Sequence, residues 1–151
     1  MPCRIRPMGM DSLGLLKPLW EQLNAVHFTE SGHFKEYYHS LRFEKRCEKF
    51  TALKPDDVHI LGVFPEGKKK PVGYCISTVI NKVGELDSLF VESDWRKAGY
   101  GAALVEQSIA WMKNKGCIRI IISVAGGHES VFGFYERFGF YPRYTTLELK
   151  E

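Results

Sequence analysis

The sequence holds no apolar run approaching the about 20 residues that a helix needs to cross a bilayer. Its start, Met1-Pro2-Cys3-Arg4, lacks the apolar core that directs a chain to secretion. The expectation is a cytoplasmic protein with no membrane partner. Cysteine is sparse too. Cys3, Cys47, Cys75 and Cys117 lie far apart, with no Cys-x-x-Cys and no clustered histidines. Neither a zinc site nor a disulfide framework is expected, and reduced thiols are. Charges of both signs are mixed along the chain, and the net charge is only +3. That is too small and too evenly mixed for a nucleic-acid partner, although its sign mildly favours a polyanionic ligand. Linkers, repeats and low-complexity tracts are absent as well. With 44% hydrophobic and 13% aromatic residues, the 151 residues read as one domain, 1–151, large enough to bury a core.

What is present alternates between helix and strand patterns. Arg4 to Pro7 reads as a short first strand. Leu16, Leu19, Leu23 and Val26 then recur on one helical face behind Asp11-Ser12, which can cap a helix. Pro18 either kinks that helix or opens it afresh, and one helix with a defect is expected. His27 to Gly32 reads as a loop, and His33 to Phe50 as a second helix with a solvated charged face. Val58–Phe64, Val72–Ile80 and Glu85–Val91 alternate as strands joined by short turns, which implies an antiparallel meander. A helix with the stripe Ala102, Val105, Ile109, Met112 follows and ends at Gly116. Ile118 to Val124 reads as a strand buried on both faces, Glu129 to Phe138 as a helix ended by Gly139, and Phe140 to Leu149 as closing extended segments. The order β-α-α-β-β-β-α-β-α-β is that of a mixed α+β sandwich.

The most informative stretch is Arg96-Lys97-Ala98-Gly99-Tyr100-Gly101, placed between the apolar Leu89-Phe90-Val91 and the helix from Ala102. A strand, a tight glycine turn and a helix start together build an anion site. The first N–H groups of a helix have no internal partner, and the macrodipole adds about half a positive charge there. Glycines let those amides press against phosphate oxygens, and Arg96 and Lys97 add charge at the rim. By themselves two glycines one residue apart also read as a turn with a helix cap. Gly101-Ala102-Ala103 lacks the Gly-Lys-Ser/Thr of a P-loop, and Leu104 stands where a dinucleotide fingerprint needs a small residue.

Arg96 to Gly101 does fit the pattern Arg/Gln-x-x-Gly-x-Gly/Ala. One strand and one helix later, Phe134-Tyr135-Glu136-Arg137-Phe138-Gly139-Phe140 is similar to a Phe/Leu-Tyr-Glu-x-x-Gly-Phe segment. With both motifs in order, residues Gly73 to Tyr141 resemble the GNAT superfamily of acyl-CoA-dependent N-acetyltransferases. The resemblance implies a mostly antiparallel mixed sheet, splayed where the strands ending at Val91 and Val124 part. It implies acetyl-CoA as co-substrate and an amine as acceptor. A β-bulge near Ser88 would free N–H groups around Leu89, Phe90 and Val91 for the pantetheine and thioester. Arg96, Lys97, Ala98, Gly99, Tyr100, Gly101 and Ala102 would hold the diphosphate. His128 stands where many members carry an asparagine that bonds the coenzyme.

An alkyl amine has a pKa of about 10.4 and is a cation at neutral pH, so transfer needs a base, and the departing thiolate needs an acid. Tyr135 matches the family tyrosine that faces the coenzyme sulfur. Glu85 matches the glutamate that serves as base in the histone-acetylating branch. It reads equally as a surface carboxylate after a turn, with Asp87 in reserve. The glutamate that another branch carries on the next strand is replaced here by Ser123. A water chain can also take the place of a side-chain base. The first helices are expected to wall the acceptor side, which brings in His27, Glu30, His33, Tyr37 and Tyr38. The last strands offer a surface for a homodimer. The competing reading is a catalytically silent acyl-CoA-binding sensor or interaction module.

Overall fold

A computed structural model describes residues 2–151. A single five-stranded sheet has the order β1-β2-β3-β4-β5, so chain neighbours are sheet neighbours throughout. Strands β1 (Cys3–Met8), β2 (Val58–Pro65), β3 (Gly73–Ile80) and β4 (Val83–Val91) pair antiparallel. The tight β3–β4 hairpin turns through Asn81 and Lys82, both at positive φ (51° and 63°), the backbone that matches strand twist in a two-residue turn. Strand β5 (Arg119–Ile122) joins parallel to β4, reached through a helical crossover.

Helices cover both faces. On one, the 3-10 run Met10–Leu16, α1 (Lys17–Glu30) and α3 (Phe43–Thr51) set Leu16, Leu19, Trp20, Phe43 and Phe50 against Ile60, Tyr74, Ile76 and Phe90. On the other, α4 (Tyr100–Asn114) sets Leu104, Val105 and Met112 against Leu61, Val63, Cys75 and Val91. Each fully buried aliphatic side chain of this kind stabilises the fold by about 2 kcal/mol. The short α2 (Lys35–Ser40) lies between α1 and α3, and α5 (Phe132–Glu136) follows β5.

Several expectations need correction. The helix read over His33–Phe50 is two helices, because Leu41 (ψ 133°) and Arg42 (ψ 144°) are extended. The supposed loop at His27 is still α1, which runs to Glu30 and stops where Ser31 turns extended. Pro18 lies in the first turn of a new α-helix, preceded by a 3-10 run over Met10–Leu16, so the defect is a change of helix type. The buried stripe of α4 is Leu104, Val105, Ser108, Met112, one position round from the stripe expected. Strand β5 is short and only half-buried, an edge among the described residues. Residues 140–151 pair with no strand, and Tyr141, Tyr144, Leu147 and Leu149 are exposed.

Candidate active site

The parallel pairing of β4 with β5 lasts four residues and ends at Leu86↔Ile122, although β4 continues to Val91. Beyond that point β4 has β3 on one side and, among the described residues, no strand on the other, so a crevice opens where the two strands part. Helix α1 spans it. Gln22 Nε2 donates to Glu92 at 3.1 Å just past β4, while Glu30 meets His128 in the turn after β5. Those two contacts are eight residues apart on the helix, about 12 Å along its axis, against the about 4.8 Å between paired strands.

A bulge shapes the wall of this crevice. Ile76 pairs with Ser88 and Ser77 with Leu86, leaving Asp87 as the extra residue. The expected bulge is therefore present, one residue earlier than Ser88. It changes which side chains share a face. Glu85 and Asp87 both reach Lys49 of α3, and Ser88 bonds the Tyr74 hydroxyl at 2.7 Å on that same side. Leu89 packs instead with the α4 layer, so it does not share a face with Glu85.

The turn after β4 has the geometry its glycines suggested. Lys97 (φ 66°) and Gly99 (φ 87°) are left-handed, and Gly99 caps the start of α4. The first backbone N–H of this segment to find a protein acceptor is that of Ala103, which donates to the Gly99 carbonyl at 3.0 Å. Among the described residues, the N–H groups of residues 97–102 bond no protein acceptor. A Cβ on Gly99 would meet nothing within 4 Å, so glycine is needed there for its φ alone. Arg96 is exposed but anchored. Its Nε donates to the Val91 carbonyl at 2.7 Å and its guanidinium lies 5.3 Å from the Phe90 ring centroid, bracing the turn. Tyr100 spends its hydroxyl on the Cys3 backbone N–H, 3.1 Å away.

Helix α5 docks beside this turn, since a Cβ on Gly101 would stand 3.5 Å from the Phe134 ring. Phe140 N–H bonds the Tyr135 carbonyl and Gly139 N–H the Glu136 carbonyl, the paired bonds of a Schellman end, which fixes Tyr135 in the last turn. The Tyr135 ring packs edge-on to Phe134 and Phe140 in the α4 layer. Burial, with Cys75 nearby, pushes its phenol well above the ordinary range, so it stays protonated across neutral pH.

The candidate bases are differently placed. Asp87 is fully enclosed. Thr78 donates to its Oδ2 at 2.6 Å, Lys49 bonds Oδ1, and Arg46 lies 3.7 Å from the same oxygen. Glu85 keeps partial exposure and a 3.1 Å pair with Lys49. Arg46 and Lys49, three residues apart on α3, were read as part of a solvated face. Their carboxylate partners lie about forty positions away, which local spacing does not show.

His128 is turned to α1. Its Nδ1 lies 2.5 Å from Glu30 Oε1 and its ring 5.2 Å from that of His27, which also stacks near Tyr38. Of the acceptor-side residues, His27, Glu30 and Tyr38 thus gather here. His33 and Tyr37 instead line a cleft of about 530 Å³ with residues 148–151.

Comparison with known proteins agrees with this architecture. The profile of the acetyltransferase (GNAT) family matches residues 18–140. An aminoglycoside N(6′)-acetyltransferase type 1 from Acinetobacter genomosp. 13 is 25% identical, over 93% of this chain and 90% of its own. Among solved structures, a GCN5-related N-acetyltransferase from Ralstonia eutropha JMP134 superposes with a TM-score of 0.78 at 18% identity, covering 99% of both chains. The PaiA N-acetyltransferase from Thermoplasma acidophilum, in complex with coenzyme A, superposes with a TM-score of 0.71 at 22% identity, over 97% of this chain and 94% of its own. The chain belongs to the acetyltransferase (GNAT) family, enzymes that take their acetyl group from acetyl-CoA.

Proposed function

We propose that the protein moves an acetyl group from acetyl-CoA directly to a primary amine of a small molecule or peptide. The observation that carries this reading is the row of unpartnered N–H groups at 97–102, with Tyr135 docked alongside through the Phe134–Gly101 contact. Six amides at a helix start suit a diphosphate, with Lys97 at the rim. The coenzyme's pantetheine then follows the unpaired edge of β4 past Leu89, Phe90 and Val91, where an N–H polarises the thioester carbonyl. The amine enters from the α1 side, attacks that carbonyl and expels the thiolate, which takes its proton from Tyr135. Glu85, or water leading to a group further along the crevice, accepts the proton of the ammonium.

The acceptor is sought first among polyamines and amino sugars, since the Acinetobacter relative is named for an aminoglycoside amine. The test is release of free CoA thiol from acetyl-CoA across kanamycin, spermidine, glucosamine 6-phosphate and a lysine-containing peptide. Turnover with at least one amine, lost in Tyr135→Phe, supports the reading. Coenzyme binding with no turnover on any amine would point to a silent acyl-CoA-binding module.

A further inference from the structure

The α1 end of the crevice carries a group that the tyrosine and the β4 carboxylates leave unused. Gly127 (φ 96°) lies so close to α1 that a Cβ there would stand 2.2 Å from the Glu30 carbonyl oxygen. That contact fixes the turn after β5 against the helix end and sets His128 Nδ1 2.5 Å from Glu30 Oε1. A carboxylate at Nδ1 selects the tautomer with hydrogen on Nδ1, leaving Nε2 with a bare lone pair. Nε2 makes no hydrogen bond among the described residues and is not among the buried polar atoms without a partner. It therefore keeps contact with solvent, with His128 about one-fifth and Glu30 under one-third exposed. By contrast, both β4 carboxylates are already held by Lys49.

We infer that His128, oriented by Glu30, is the general base that deprotonates the acceptor amine, with Glu30 a positioning residue. This deepens the transfer reading above and rests on it. One proton passes from the ammonium to Nε2 and on to solvent, and the freed lone pair forms the C–N bond. As the C–S bond breaks, sulfur takes the Tyr135 proton. The second proton leaving the nitrogen restores the phenol. The groups facing His128 are Glu30 and His27 from α1, with Tyr38 behind His27, and Glu129 on its own turn. Burial, then the neighbouring His128, lowers His27, so it stays neutral and does not compete for the proton.

The experiment compares wild type, His128→Gln, Glu30→Gln and Glu85→Gln on the best amine of the panel, with kcat/KM followed from acid to neutral pH. CoA affinity is measured separately by calorimetry. His128→Gln is expected to lower kcat/KM by about 100-fold or more and to flatten the acid limb, with CoA affinity kept. Glu30→Gln is expected to fall in the same direction but less, and Glu85→Gln to fall less than His128→Gln. A His128→Gln variant that turns over normally but binds CoA weakly would make this a coenzyme contact and overturn the inference. Collapse in Glu85→Gln alone would do so too, as would activity lost to EDTA and restored by zinc, since His27, Glu30 and His128 place ligand atoms within 4.8 Å of one another. Should wild type turn over no amine, the transfer reading fails separately. Nitrogen-15 NMR of the free protein then decides the dyad, because hydrogen on Nε2 instead of Nδ1 contradicts it.

Discussion

Arg96 donates its Nε hydrogen to the carbonyl oxygen of Val91 at 2.7 Å, tying the end of β4 to the turn that opens α4. The sequence pattern offers this arginine as a phosphate contact, and its Nε also shapes the loop. Arg96→Ala is therefore expected to cost about 1–2 kcal/mol of stability in urea denaturation and to weaken CoA binding as well. A residue that met only phosphate would leave the denaturation midpoint unchanged.

Lys49 holds two carboxylates at once, Glu85 at the surface and Asp87 in the interior. Removing it strands a buried charge, with only Arg46 and Thr78 left to bond Asp87. Lys49→Ala is expected to destabilise by about 3 kcal/mol in urea denaturation, as breaking a buried pair from one side does. Glu85→Gln, which alters a partly exposed pair, is expected to cost under about 1 kcal/mol. Equal losses would contradict this division.

Burial depresses two histidines. His59 stacks on Trp111 at 4.8 Å with its Nδ1 unpartnered, and His27 has an unpartnered Nδ1 as well. Their folded pKa values lie below the unfolded value of about 6.5, so below that pH the unfolded chain binds more protons. Stability is full above about pH 6.5 and is lost as pH falls through and below it. The thermal midpoint is expected to drop between pH 7 and pH 5, and by less in His59→Gln. A midpoint that is flat or rises on acidification would refute the assignment.

Much of the fold was legible because it is written locally. Alternating apolar residues gave the meander, and Gly99 marked the helix start, since its left-handed backbone favours glycine. The break at Leu41–Arg42 carries neither proline nor glycine, so nothing in the spacing announces it. The extended reading of residues 140–149 described a backbone preference, whereas membership of a sheet depends on a partner edge elsewhere. At the site, the place of Tyr135 at the end of a short helix closed by Gly139 was legible from its motif. The Glu30–His128 contact joins positions 98 apart and shows only in three dimensions.

Tyr135 is expected to act as an acid throughout the working range. Tyr135→Phe should lower kcat by about 100-fold with little change in CoA affinity. Because burial raises the phenol, wild-type turnover should show no alkaline limb from this group below about pH 10. A limb between pH 8 and about 9 that vanishes in Tyr135→Phe would contradict the raised phenol.

The most direct measurement is a calorimetric comparison of CoA with pantetheine, which keeps the thiol arm and lacks the diphosphate. If the amides of residues 97–102 grip that diphosphate, CoA binds at one site and about 100-fold or more tighter than pantetheine. Equal affinities, or no heat with CoA, would contradict the account.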